Sequence, residues 1–239
     1  MTRPAVLVTG GARRIGAAIC RRFGAAGWHV VVHHNCSAPE AAALAAALPS
    51  AETVACDLGD GAAVAAMMSD LAARLADWRC LVSNASVFPA DRAGAFDPSA
   101  FAEAMAINAV APARLAQAFL AQARSPAARR VIQLTDQKLA HPNPDFFSYT
   151  MSKSAADTAA RMLALAADFA WLSPAEERDE LSRMIAGRLS AGNLGEADVD
   201  LVCSLNRDGS LDSVLPRVEW EAPASGGIAK EAVLGVWKP

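Results

Sequence analysis

No two of the five cysteines, Cys20, Cys36, Cys56, Cys80 and Cys203, stand in a C-x-x-C pair, and their number is odd. That spacing suits neither a zinc site nor a disulfide framework, so all five are read as reduced structural thiols and no metal is expected. A basic run is lacking too. The pairs Arg13-Arg14, Arg21-Arg22 and Arg129-Arg130 are scattered through a chain of net charge −3, which leaves no electrostatic footprint for nucleic acid. The N-terminus has no signal-peptide cleavage pattern, and no apolar run reads as long enough to span a bilayer. The expectation is a cytoplasmic protein without nucleic-acid or membrane partners. Charged residues make up only 20% and hydrophobic residues 53%, a balance that excludes disorder and points to a packed core.

What is present is an alternation. Over the first 170 residues, short β-type runs take turns with longer alanine-rich helical runs. Strands are read at residues 5–8, 28–33, 53–56, 80–82 and 130–134. Helices are read from the first turn to about Ala26, at 39–48, 62–75 and 101–123, and from Ser152 to about Ala167. Strands that are apolar throughout, separated by helices, specify a parallel sheet covered on both faces, and right-handed crossovers wind it doubly. The fold class is therefore α/β, in one domain spanning residues 1–239. Near residue 170 the character changes. Ser173-Pro174-Ala175-Glu176 opens an acidic helix, and residues 199–205 and 213–220 read as strands around the turn Asn206-Arg207-Asp208-Gly209, with a last strand at 233–237. An antiparallel hairpin is expected in 171–239 rather than another βαβ unit.

The first strand runs into Thr9-Gly10-Gly11-Ala12-Arg13-Arg14-Ile15-Gly16 and then a helix. Glycines there let the backbone approach a pyrophosphate, and the helix start offers unpaired N–H groups and the positive end of its dipole. A site preferring NAD usually carries a carboxylate at the end of the second strand, whereas this strand ends in His33-His34-Asn35-Cys36-Ser37. With no carboxylate to repel a 2′-phosphate, and with Arg14, His34 and Ser37 able to donate to it, the expected cofactor is NADP(H). The two histidines have a second reading, as plain loop residues. Asp57-Leu58 follows the third strand where an adenine edge would lie. Tyr149 and Lys153, four apart on one helix, point into the same space, and an ammonium near a phenol favours phenolate, which suits proton transfer at neutral pH.

Over roughly residues 4–170 these segments resemble the short-chain dehydrogenase/reductase family, with its Rossmann-like doubly wound sheet. The matching pieces are the 9–16 turn, Asp57, Asn84-Ala85-Ser86, Asn108, and Tyr149 with Lys153. Within the family the chain is most similar to pteridine reductases and their dihydromonapterin- and dihydrofolate-reducing relatives. Arg14 replaces the middle glycine, Asn84-Ala85-Ser86-Val87-Phe88 resembles their N-A-S-x-F, and Leu134-Thr135-Asp136 puts Asp136 where the common pattern has a serine.

The resemblance implies a cofactor site of Gly10, Arg13, Arg14, Ile15, Gly16, His34, Ser37, Asp57, Leu58, Asn84, Ala85, Ser86 and Lys153. It implies a catalytic set of Tyr149, Lys153, Asp136 and Asn108, with Asn108 supporting a water chain to Lys153. A pterin slot would be formed by Phe88, Arg14, Ser86, Asp136 and Tyr149. Homo-oligomers, dimers or tetramers, are expected from the family. Phe88 as a core residue and Asp136 as a helix-capping or turn residue stay open as alternatives. So do a different carbonyl substrate and a catalytically silent NADP-binding protein. The chain departs from the pattern at Cys36, where relatives often carry an arginine, and in lacking the sixth-strand segment that ends in Pro-Gly.

Overall fold

The computed structural model describes residues 3–127 and 129–166, and the backbone of three short strands at 200–203, 210–212 and 236–238. Strands β1 (Ala5–Val8), β2 (His29–His34), β3 (Ala51–Ala55), β4 (Trp78–Ser83) and β5 (Arg130–Asp136) form a parallel sheet in the order β3-β2-β1-β4-β5. Successive strand residues face opposite sides, so β1 feeds two cores at once. Val6 and Val8 pack with Ile19 of α1 (Arg14–Ala25) and Leu44 of α2 (Ala38–Ala47). Leu7 packs with Met68 and Leu71 of α3 (Gly61–Arg74) and with Leu115 and Phe119 of α5 (Ala111–Gln122). Trp78 and Phe119, both fully buried, meet edge to face with ring centroids 5.0 Å apart. The strand order reverses direction between β1 and β4, and a doubly wound sheet opens a crevice at that point.

The helix expected over 101–123 is α4 (Pro98–Ala104), a π-helical segment (Met105–Val110) and α5 in succession. Asp97 starts it by accepting hydrogen bonds from the Ser99 and Ala100 amides. By length and composition alone, Pro98–Gln122 is apolar enough to cross a membrane, contrary to the sequence reading; here Ala104, Leu115 and Phe119 sink it into the core. The next helix, α6 (Phe147–Ala166), begins before the expected Ser152. Its first turn is capped from outside the local sequence, because the Ser148 N–H donates to the Asp91 carboxylate at 2.9 Å.

The strand expected at 199–205 is β6 (Asp200–Cys203), and it pairs antiparallel with β5 rather than with a hairpin partner. Pairing there satisfies the main-chain groups on that side of β5. Strand β7 (Ser210–Asp212) pairs antiparallel with β8 (Val236–Lys238). The turn at 206–209, the strand expected at 213–220, residues 233–235 of the last one and the helix at 173 lie outside the described residues. Cys20, Cys36 and Cys56 are free thiols, and burial pushes Cys20 up to about 12.

Candidate active site

The crevice is built first from main chain. Gly10 turns with a φ of +59°, and a side-chain carbon on it would lie 3.0 Å from the Ala85 Cα. A Cβ on Gly16 would come within 2.2 Å of the Gly10 carbonyl oxygen, so nothing larger than glycine fits there. Arg14 occupies the left-handed region at φ +51°, a conformation for which glycine is the default and which an arginine holds only under constraint.

Three side chains hold this turn. Thr9 accepts at its Oγ1 from the Asn84 and Ala85 amides at 2.9 and 3.0 Å. Asn84 Nδ2 donates to the Thr9 and Gly10 carbonyls at 2.8 and 3.1 Å. The Gly10 N–H donates to His33 Nδ1 at 3.1 Å, which leaves His33 Nε2 carrying the proton it gives to the Cys56 carbonyl at 3.0 Å. Burial lowers His33 to about 4, so the ring is neutral and its accepting nitrogen stays free for Gly10.

These elements surround a cavity of about 320 Å³ at the crevice between β1 and β4. Of the residues expected to bind cofactor, Gly10, Arg13, Arg14, Ile15 and Gly16 line it from the turn. Asp57 and Leu58 line it beyond β3, and Asn84, Ala85 and Ser86 beyond β4. His34, Ser37 and the buried Lys153 do not. His34 is buried and donates to the Asn35 carbonyl, while its neighbours His33 and Asn35 line the cavity in its place. Adjacent strand residues point to opposite sides, so only one of the two histidines can face the crevice. A dinucleotide fits these residues. The glycine positions admit its pyrophosphate against the backbone, α1 starts beside it, and Arg13 and Arg14 stand at the edge. Arg13 also pairs with Glu40 of α2.

The far side is built from side chains. The Tyr149 hydroxyl donates to Asp136 Oδ2 at 2.6 Å, and Asp136 Oδ1 accepts from the Lys138 amide at 2.7 Å. Lys153, buried, donates to the Leu134 carbonyl at 3.2 Å with its nitrogen 5.6 Å from the centre of the Tyr149 ring. Asn108, on the π-helical segment, grips both the N–H and the carbonyl of Val87, at 2.8 and 2.9 Å, and donates to Ser152. A π turn inside an α-helix often marks a functional position. Phe88 is 42% exposed and lines the cavity with Tyr149, which excludes the core reading. Its ring stacks on Phe146 at 4.2 Å and meets Tyr149 edge-on at 4.3 Å.

Sequence reasoning missed His33, Asn35, Ile107 and Phe146. Only the polar cluster at the end of the second strand offered a signal for any of them. Asp91 was missed as well. Burial pushes its carboxyl up, but the Ser148 hydroxyl and amide with further backbone donors outweigh this, and the net direction is down.

The comparisons with known proteins agree with this construction. The short chain dehydrogenase family matches residues 4–168. Pteridine reductase 1 of Leishmania tarentolae is 31% identical, over 69% of this chain and 71% of the relative. Among solved structures, FolM alternative dihydrofolate reductase 1 from Brucella suis, in complex with NADP, superposes with a TM-score of 0.64 at 36% identity, over 68% of this chain and 69% of that one. The angucycline C-6 ketoreductase LanV with bound NADP gives 0.60 at 31% identity, over 68% and 65%. With its glycine turn at the strand reversal and the Tyr149/Lys153 pair across the cavity, the chain belongs to the short chain dehydrogenase family of oxidoreductases.

Proposed function

We propose that this protein is an NADP(H)-dependent reductase of a pterin, a dihydropterin or dihydrofolate-like substrate, with Tyr149 as the proton donor. The observation that carries the reading is the exposed face of Phe88 on the cavity wall, 4.3 Å from the Tyr149 ring. A flat bicyclic ring can stack there, whereas a small carbonyl compound has no use for it. The pteridine reductase and dihydrofolate reductase relatives support the same substrate class.

When bound, NADPH supplies the hydride. The protein's own groups do the rest. Tyr149 holds its proton against Asp136, in the direction of the hydrogen bond between them, and can release it to the substrate nitrogen. The Lys153 ammonium lies where it opposes the negative charge left on the phenol. Asn108 fixes the Val87 backbone next to Phe88 and, through Ser152, the turn of α6 that bears Tyr149. Arg14 and Ser86 form the polar rim. Arg13, at the start of α1, would receive the 2′-phosphate, and Asp57 and Leu58 would flank the adenine, while Ser37 stands apart at the start of α2. A cytoplasmic setting and homo-oligomeric assembly go with this reading, the first supported by the reduced thiols of Cys20, Cys36 and Cys56 and the second by the family.

A second reading, reduction of another ketone, is favoured by the likeness to the LanV ketoreductase. Nicotinamide oxidation measured with dihydrobiopterin and dihydrofolate, beside a panel of aldehydes and ketones, separates the two. The pterins are expected to turn over, with NADPH preferred to NADH by at least about tenfold in kcat/KM, roughly 1.4 kcal/mol. Turnover of ketones alone would replace the substrate assignment, and cofactor binding without any turnover would make the protein a silent binder.

A further inference from the structure

The loop that leaves Phe88 returns to the start of α6 and is fastened there at residues 91–93, with Asp91 the buried contact. Asp91 is 8% exposed, and its two carboxylate oxygens accept from the amide and the hydroxyl of Ser148, itself fully buried. Its own carbonyl accepts from the Phe146 N–H at 2.7 Å. Alongside, Arg92 pairs with Asp145 at 3.3 Å and the Ala93 N–H donates to the Pro144 carbonyl at 2.9 Å.

Ser148 immediately precedes Tyr149, and Phe146 is the ring on which Phe88 stacks. Phe146 has a φ of +56°, which a bulky residue does not hold without outside restraint, and the Asp91 carbonyl supplies one. A carboxylate at the first turn of this helix also matches the sign of its dipole.

We infer that Asp91 is a positioning residue for the reaction: it locks the Phe88 loop to the start of α6, and so sets the Tyr149 hydroxyl and the Phe88–Phe146 stack relative to each other. It does not line the cavity. The inference rests on Tyr149 acting as proton donor, and the test separates the two ideas.

Asp91→Ala, Asp91→Asn and Ser148→Ala are compared with the native protein for kcat, KM and NADPH affinity, using whichever substrate the native enzyme turns over. Asp91→Ala is expected to lower kcat by about tenfold and raise KM, short of the roughly hundredfold that an ångström of misplacement can cost. NADPH affinity should stay within about twofold, since the turn on β1 is held by other residues. Asp91→Asn keeps an oxygen for the Ser148 amide and should retain more of kcat than the alanine. If the alanine variant does not fold, the asparagine variant and Ser148→Ala must still show the kcat loss with intact NADPH binding. A lower melting temperature with kcat and KM unchanged would overturn the inference, as would NADPH affinity falling in step with kcat. Tyr149→Phe run beside them tells the failures apart: full activity there removes the proton-donor reading, whereas a slow phenylalanine variant beside normal Asp91 variants removes only the positioning role.

Discussion

On the β1 side of the cavity, Thr9, His33 and Asn84 all hydrogen-bond main-chain atoms and hold a glycine turn whose backbone faces the cavity. On the β5 side, Tyr149 meets Asp136 side chain to side chain, and Phe88, stacked on Phe146, presents a partly exposed ring. The two walls should therefore fail differently. A wall of backbone fails by steric crowding or loss of its braces, and the failure appears in cofactor affinity and in stability. A wall of side chains fails by loss of one functional group, with fold and cofactor binding intact.

The largest effect expected is on the backbone wall, and it depends on acid. His33 sits at about 4 in the folded protein against 6.5 when unfolded, so between these values the unfolded chain binds the proton that the native one refuses. Its contribution is complete above pH 6.5 and is lost as pH falls towards 4, by about 3 kcal/mol for a displacement of that size. Urea unfolding at pH 7, 5.5 and 4 should show this acid loss in the native protein and not in His33→Leu. The variant should start less stable at pH 7 by about 1–3 kcal/mol, since the Gly10 N–H then has no partner. Equal acid sensitivity in both proteins would remove His33 as the brace.

Next in size is Gly16→Ala, which places a carbon 2.2 Å from the Gly10 oxygen and 2.7 Å from Asn84 Nδ2. Overpacking of this kind costs about 1–3 kcal/mol, so NADPH affinity measured by fluorescence titration should fall by up to roughly a hundredfold. Unaltered affinity would mean that the turn does not contact the cofactor.

A smaller effect sharpens the contrast from the other wall. Phe88→Ala should raise KM for a pterin by about tenfold, in keeping with the 0.5–1.5 kcal/mol of an aromatic pair plus its buried area, and leave NADPH binding and reduction of a small aliphatic carbonyl almost untouched. Loss of cofactor and all substrates together would return Phe88 to a structural role.

The difference between the walls also explains what the sequence made legible. The glycine turn and the Tyr149/Lys153 spacing are local patterns, and the five parallel strands follow from apolar runs whose partners are dictated by crossover rules. What stayed hidden depends on contacts between distant residues. Asp91 lies far from Ser148 in sequence, so no capping pattern precedes α6. The π turn at Asn108 is set by its grip on Val87 and Ser152, which no helical periodicity records. Choosing His34 over His33 was a matter of one residue, enough to reverse the side on which a strand residue points. At the other end, the turn at 206–209 suggested a hairpin, yet Asp200–Cys203 joined the edge of β5.

That the β5 wall delivers the proton while the β1 wall holds the cofactor is tested most directly by one pair of measurements on Tyr149→Phe, which removes the only tyrosine in the chain. Dihydropterin-dependent turnover should fall by about 10²-fold or more, the scale of a lost general acid, with NADPH affinity nearly unchanged. Turnover at the native rate, or NADPH affinity that falls as far as turnover does, would contradict the division of labour between the two walls.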